Sequence, residues 1–108
     1  MSYTIQITED AEHDLEDIYD YIYQYDCLEN ANYVLQELLS IAGNLTRFPE
    51  RGSVVKELKE LGFIEFRQVF FKPYRLIYRI LEKRVIIYLV VDGRRDLQSV
   101  LSKRLLNK

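Results

Sequence analysis

Tryptophan is absent from the 108 residues, and cysteine and histidine each occur once. A lone Cys27 cannot form an internal disulfide, so nothing points to an oxidising compartment. It sits beside a tyrosine-rich stretch and is expected as a semi-buried thiol. A Cys-x-x-Cys pair, an HExxH motif and a glycine-rich phosphate loop are all missing. No clustered ligands suggest a metal, and no cofactor is expected. Glycine and proline are scarce, at four and two, which argues against a loop-rich scaffold. No apolar run approaches the roughly 18 residues of a membrane span, and no basic-then-apolar leader is visible. The expectation is a soluble cytoplasmic protein with no membrane partner.

What is present is a foldable chain. Hydrophobic residues make up 48% and charged residues 30%, too apolar and too balanced for intrinsic disorder. Nine Tyr and five Phe supply the aromatic content. The length fits one domain, residues 1–108.

The net charge of −2 hides a division. Residues 1–46 hold ten acids and no Lys or Arg, so that half carries −10. All fifteen basic residues lie from Arg47 onward against seven acids, which gives the second half +8. Such asymmetry points to an electrostatic partner, a nucleic acid or an acidic protein. The alternative is that an acidic helix and a basic sheet neutralise each other within the fold. The only histidine, His13, lies among the acids and is expected to be exposed. A helix that repels anions is a poor place for work on a phosphate.

Periodicity gives the elements. Tyr3, Ile5 and Ile7 alternate as a short strand. Thr8 is placed to cap a helix whose first turn holds Glu9 and Asp10, where negative charge suits the dipole. Ala11, Leu15, Ile18 and Ile22 form its apolar stripe. A second helix from near Glu29 carries Ala31, Val34, Leu35, Leu38, Ile41, Ala42 and Leu45 and stops at Pro49, which opens a turn through Gly52. Residues 54–61 read as an extended piece followed by a helical turn. Three strands follow, at 63–71, 74–81 and 84–91, with Glu82 and Lys83 as a two-residue turn. Asp96 starts a last helix with Leu97, Val100, Leu101 and Leu105 inward. The fold class is α+β: a small antiparallel sheet packed on an N-terminal helical hairpin, with a C-terminal helix.

Strict alternation then assigns faces. Leu76, Tyr78, Ile80, Val85, Ile87 and Leu89 should meet the helices. Arg75, Ile77, Arg79, Ile86, Tyr88 and Val90 should form an open face, with Asp92 in line and Arg67 joining if its parity matches. Arginines around a tyrosine suit a polyanion, because guanidinium binds phosphate bidentately and aromatic rings stack bases.

The order Leu45-x-x-Phe48-Pro49-x-x-Gly52, Val55-x-Glu57-Leu58, Arg67, Tyr74 to Ile80, Val85 to Val91 and Gly93-Arg94-Arg95-Asp96-Leu97 resembles the RelE/ParE superfamily of bacterial toxins. The resemblance implies the toxin half of a type II toxin–antitoxin pair, with a cognate antitoxin as partner. Members similar to RelE cleave mRNA on the ribosome without a metal; members similar to ParE poison DNA gyrase. For cleavage, the resemblance implies Arg67 and Arg75 on the phosphate, Tyr78 or Tyr88 on the RNA, and a Lys or Glu near residues 56–60 as base. Asp92 stands where many members have His, and an acid there opposes a phosphate. The Gly93-to-Asp96 run and trailing helix look more like ParE. The implied target-binding residues are Arg79, Asp92, Arg94, Arg95, Lys103 and Arg104, and inhibition is by binding rather than catalysis. An inactive domain that only binds its antitoxin is the remaining alternative. Tyr19, Tyr23 and Tyr33 are the implied antitoxin contacts, with Tyr21 and Tyr25 expected to pack on the sheet.

Overall fold

A computed structural model describes residues 2–106. Strand β1 (Thr4–Ile7) leads into helix α1 (Glu9–Tyr25) and helix α2 (Leu28–Asn44). A single 3-10 turn (Pro49–Arg51), strand β2 (Ser53–Val54) and helix α3 (Lys56–Lys59) follow. Strands β3 (Phe66–Phe71), β4 (Tyr74–Leu81) and β5 (Arg84–Asp92) and helix α4 (Leu97–Leu106) complete the chain. The side chain of Leu105, expected inward on α4, lies outside the described residues, as do Met1, Asn107 and Lys108. The strands form one sheet in the order β1-β5-β4-β3-β2.

Local chemistry explains the boundaries. The Thr8 hydroxyl accepts the Ala11 N–H at 3.1 Å and caps α1. Cys27 caps α2, its sulfur accepting the Asn30 N–H at 3.4 Å. It is exposed, not semi-buried, because a cap sits where the chain turns back into solvent. Asp96 accepts from the Gln98 N–H and the Ser99 hydroxyl at the start of α4. At the β4–β5 turn Glu82 takes φ 58°, the positive angle that a two-residue hairpin demands and that Gly or Asn meets most easily.

Two features depart from the expected sheet. β1 runs parallel to β5, since the long path through three helices and three strands returns the chain beside β1 in the same direction. The other departure lies in the β4–β5 ladder. Tyr78 pairs with Ile87 as expected, but Ile77 pairs with Leu89. Tyr88 is therefore an extra residue, a β-bulge that reverses parity beyond it. Val90 turns toward α1 and α2 and joins Ala11, Val34, Leu38, Leu76, Tyr78 and Ile87 in the main core. Leu89 and Val91 turn the other way and pack with Val55, Leu58, Ile77 and Leu97. Leu89 and Val90 thus exchange their expected faces. The second face is not open: α3 and α4 cover part of it.

Tyr78 locks the turn before β2. It is fully buried; its hydroxyl accepts the Gly52 N–H at 3.1 Å and donates to the Pro49 carbonyl at 2.6 Å. A Cβ at Gly52 would lie 2.6 Å from that hydroxyl and 2.8 Å from the Gln68 carbonyl oxygen, so only glycine fits. We expect Gly52→Ala to cost about 1–3 kcal/mol from overpacking. Tyr78→Phe should cost a similar amount, about 1–3 kcal/mol, from the two stranded polar groups. Chemical denaturation should show the double variant losing less than the sum, because removing the hydroxyl relieves the shortest of the clashes.

Candidate functional site

The residues expected to bind a phosphate are not gathered. Arg75 does lie on the face away from the helical hairpin, but it is 8% exposed, not presented outward. Its Nη1 and Nη2 donate to the two carboxylate oxygens of Glu57 at 2.9 and 3.0 Å, and its Nε donates to Gln68 Oε1 at 2.9 Å. α3 exists in part to bring Glu57 to this guanidinium. That forked pair holds the Glu57 carboxyl below its ordinary 4.5, which also makes it a weak general base. Arg67 pairs with Tyr78 across β3 and β4 and so has the opposite parity from Arg75. It donates to the Glu50 and Gly52 carbonyls at 3.2 and 3.0 Å, holding the turn before β2. Tyr78, buried on the hairpin side, cannot touch an RNA.

What remains accessible on the outer face is aromatic. Phe66 stacks edge-on against Tyr88 at 5.5 Å and Phe63 at 6.4 Å. Arg79 stands opposite Phe66 and Ile86, half-buried, with its Nε sealed from solvent and without a partner.

The basic end of the molecule is sorted differently from the sequence expectation. Asp92 pairs with Tyr74 and so falls on the α1 side, not in line with Arg75. It accepts the Arg94 N–H and Nε–H, both at 2.9 Å. Arg94 holds the Asp92 carboxyl below the usual carboxylate range and bends the loop after β5 back on itself. Arg94, Arg95 and Lys103 are exposed. Arg104 is not available as a contact: it donates to the Asp14 carboxylate at 2.8 and 3.0 Å and to the Tyr88 carbonyl at 3.0 Å. Among the described residues no group of three or more His, Cys, Asp or Glu is placed to hold a metal, and no helix is long and apolar enough to cross a membrane.

The tyrosines also rearrange. Tyr21 and Tyr25 do not pack on the sheet; they are 64% and 69% exposed, with rings 4.8 Å apart. With Tyr33, Phe71 and Tyr74 they line one groove between the helices and the β3–β4 turn. Tyr33 leans edge-on against Phe71 at 6.0 Å. Burial and the nearby Asp92 charge push the Tyr74 hydroxyl pKa up. Tyr19 lies elsewhere, donating to Asn32 Oδ1 at 2.9 Å. Tyr23 is exposed but does not line that groove.

Residues 5–97 match the family described as ParE toxin of type II toxin–antitoxin system, parDE. The chain belongs to this ParE toxin family. It is similar in structure to a chain of the chromosomal ParDE toxin–antitoxin system from P. aeruginosa, with a TM-score of 0.68 and 20% identity over 84% of this chain and 96% of that one. A chain of the toxin–antitoxin complex RelBE2 from Mycobacterium tuberculosis gives a TM-score of 0.63 and 24% identity over 85% and 99%. At those identities the two structures speak for a shared fold. No curated protein matches at a significant level.

Two residues of this ParE-family chain escaped the sequence reading. Asp14 had a signal: it is an acid on the α1 stripe, three residues after Ala11 and four before Ile18, where only a partnered carboxylate is tolerated. Gln68 had none, since a single polar residue on a strand does not announce an arginine diagonal to it on the next strand. The Glu57–Arg75 pair has a pH signature. Its folded pKa is lowered, so the folded state binds fewer protons than the unfolded state just below pH 4.5. The stability it contributes is whole above that value and is lost as pH falls through the lowered one. We expect Glu57→Gln to cost about 1–3 kcal/mol at neutral pH and to flatten the acid limb of the stability curve. Denaturation midpoints between roughly pH 3 and pH 7 would test it; an unchanged limb would remove the pair from the account.

Proposed function

We propose that this ParE-family toxin inhibits DNA gyrase by binding it through the basic surface of Arg94, Arg95 and Lys103, with Asp92 holding Arg94 in place, and that a cognate antitoxin neutralises it. The observation that carries this reading is the contrast between two sets of cations. Arg75, which an RNA-cleaving site would need, is closed off by Glu57 and Gln68, whereas Arg94, Arg95 and Lys103 stand in solvent. A phosphate at Arg75 would have to displace a carboxylate that already satisfies both arms of the guanidinium. Inhibition by binding asks only for an exposed surface of one sign and a complementary partner.

The antitoxin contact follows from the aromatic groove. Tyr21, Tyr25 and Tyr33 offer wide, rigid, amphipathic rings at low entropic cost. An antitoxin segment bearing apolar side chains fits this groove better than it fits Tyr19 and Tyr23.

Expression of the toxin alone, with DNA supercoiling and mRNA integrity followed separately, tests the target. We expect a blocked supercoiling reaction with intact mRNA. Arg95→Glu together with Lys103→Glu should weaken inhibition about tenfold or more, with a steep salt dependence in the parent. Early translation arrest with cleaved mRNA would overturn the gyrase reading, and an absent growth defect would leave antitoxin binding alone. For the groove, Tyr33→Ala should weaken antitoxin binding by about 2 kcal/mol in calorimetry; unchanged affinity would place the contact elsewhere.

A further inference from the structure

α4 is ten residues long, a length that is marginal as a helix in water unless packing holds it. Among its described side chains, up to Arg104, the packing is thin. Leu97 is buried, while Val100 and Leu101 are only partly so. Arg104 adds a polar attachment, and it occupies a particular place in the sheet.

β1 ends at Ile7, and the last bond from that side to β5 is the Thr8 N–H to the Ile87 carbonyl at 3.1 Å. Beyond it the β5 edge runs on with no strand beside it. Its backbone groups there still need partners. Asp14 from α1 accepts the Val90 N–H at 3.0 Å, and Arg104 from α4 donates to the Tyr88 carbonyl at 3.0 Å. The two side chains then join each other through both carboxylate oxygens. The result is a closed ring in which an ion pair stands in for the missing strand. Both partners are well shielded, with side-chain exposures of 22% and 14%, so the pair is little screened by salt. Arg95 and Lys103 line one recess together with this pair, Asp10 and Asp17. Arg104 Nε also lies 4.0 Å from the Asp10 carboxylate, so removing Arg104 would take the cation from both Asp14 and Asp10.

We infer that Asp14 and Arg104 are positioning residues for inhibition: their ion pair fixes α4 on the β5 edge, so that Lys103 and Arg95 are presented together and the acid beneath them is neutralised. This rests on the basic surface being the inhibitory one, and the test separates the two. Full-length Asp14→Asn and Arg104→Gln would be compared with the parent by hydrogen exchange, by growth-arrest potency and by antitoxin affinity. Gly52→Ala, which destabilises the fold at the turn before β2 and touches neither Asp14 nor Arg104, would serve as the control for a general loss of stability. We expect α4 amides and the Val90 amide to exchange about tenfold faster or more in both clasp variants. Potency should fall by about the same factor, while antitoxin affinity at the aromatic groove holds. Gly52→Ala should not reproduce the selective exchange in α4. Faster exchange with undiminished potency would overturn the positioning role, and unchanged exchange would show that the pair does not hold α4. Should both variants fail to fold, Arg104→Lys, which keeps the charge but not the fork, must give an intermediate loss of both protection and potency, or the inference falls. If the parent arrests translation instead of supercoiling, the gyrase reading fails, while exchange and arrest potency still judge the clasp.

Discussion

One extra residue in β5 organises this molecule. The bulge at Tyr88 lets the same strand send Val85 and Ile87 to the helical hairpin and then Leu89 and Val91 to the opposite layer. Without it, the sheet would have one apolar face and one face of arginines. With it, both faces of β4 and β5 are buried near their far ends, and the chain acquires a second small core under α3 and α4. The same shift carries Asp92 round to the α1 side, while α3 lays Glu57 over Arg75 as a roof. Bulges re-aim side chains in this way because the unpaired residue disrupts the ladder locally and increases the twist.

A roof over an arginine needs a counter-charge. Burying a lone guanidinium would be prohibitive, and a carboxylate alone would leave donors unsatisfied. Glu57 and Gln68 between them take Nε and both terminal nitrogens. Such a pair contributes little net stability compared with an apolar replacement, but breaking it by removing one partner is costly. Its effect here is to specify position: α3 can seat Val55 and Leu58 on the sheet only where Glu57 meets Arg75. The lopsided charge of the chain is used in a related way. Ten acids before residue 47 and fifteen cations from Arg47 onward meet inside the fold at Asp14 and Arg104, so part of the asymmetry is structural and part is left at the surface.

Much of the architecture was legible because helices and strands print their periods on the sequence. Thr8, Asp96, Pro49 and the stripe from Ala11 to Ile22 marked the elements that the structure contains. The main core followed from Leu38, Val85 and Ile87. The site was less legible, for a definite reason. Face assignment along a strand assumes an unbroken period of two, and a single inserted residue reverses everything after it. Nothing about Tyr88 as a residue type distinguishes a bulge from a strand position. Tyr21 and Tyr25 show a different limit. Their spacing placed them beside the apolar stripe, but whether a flanking tyrosine folds inward depends on how closely α2 and the β3–β4 turn approach, and that distance is a tertiary property.

The superfamily fold hosts two unlike activities, so the fold alone cannot select between them; the arrangement of side chains must. Cleavage of RNA needs cations that reach a phosphate and a base of suitable strength, gathered on one surface. Here Arg67 is bound to backbone carbonyls on one side of the sheet, Arg75 is closed off on the other, and the carboxylate nearest to it is held ionised by the very guanidinium it would have to release. A substrate phosphate would compete with Glu57 for Arg75 and, on winning, would strand a carboxylate in a half-buried place. Each step toward such a site therefore undoes a contact that holds α3 on the sheet. The proposed inhibition by binding meets no such conflict, because Arg94, Arg95 and Lys103 lie beyond the end of β5 and stand in solvent.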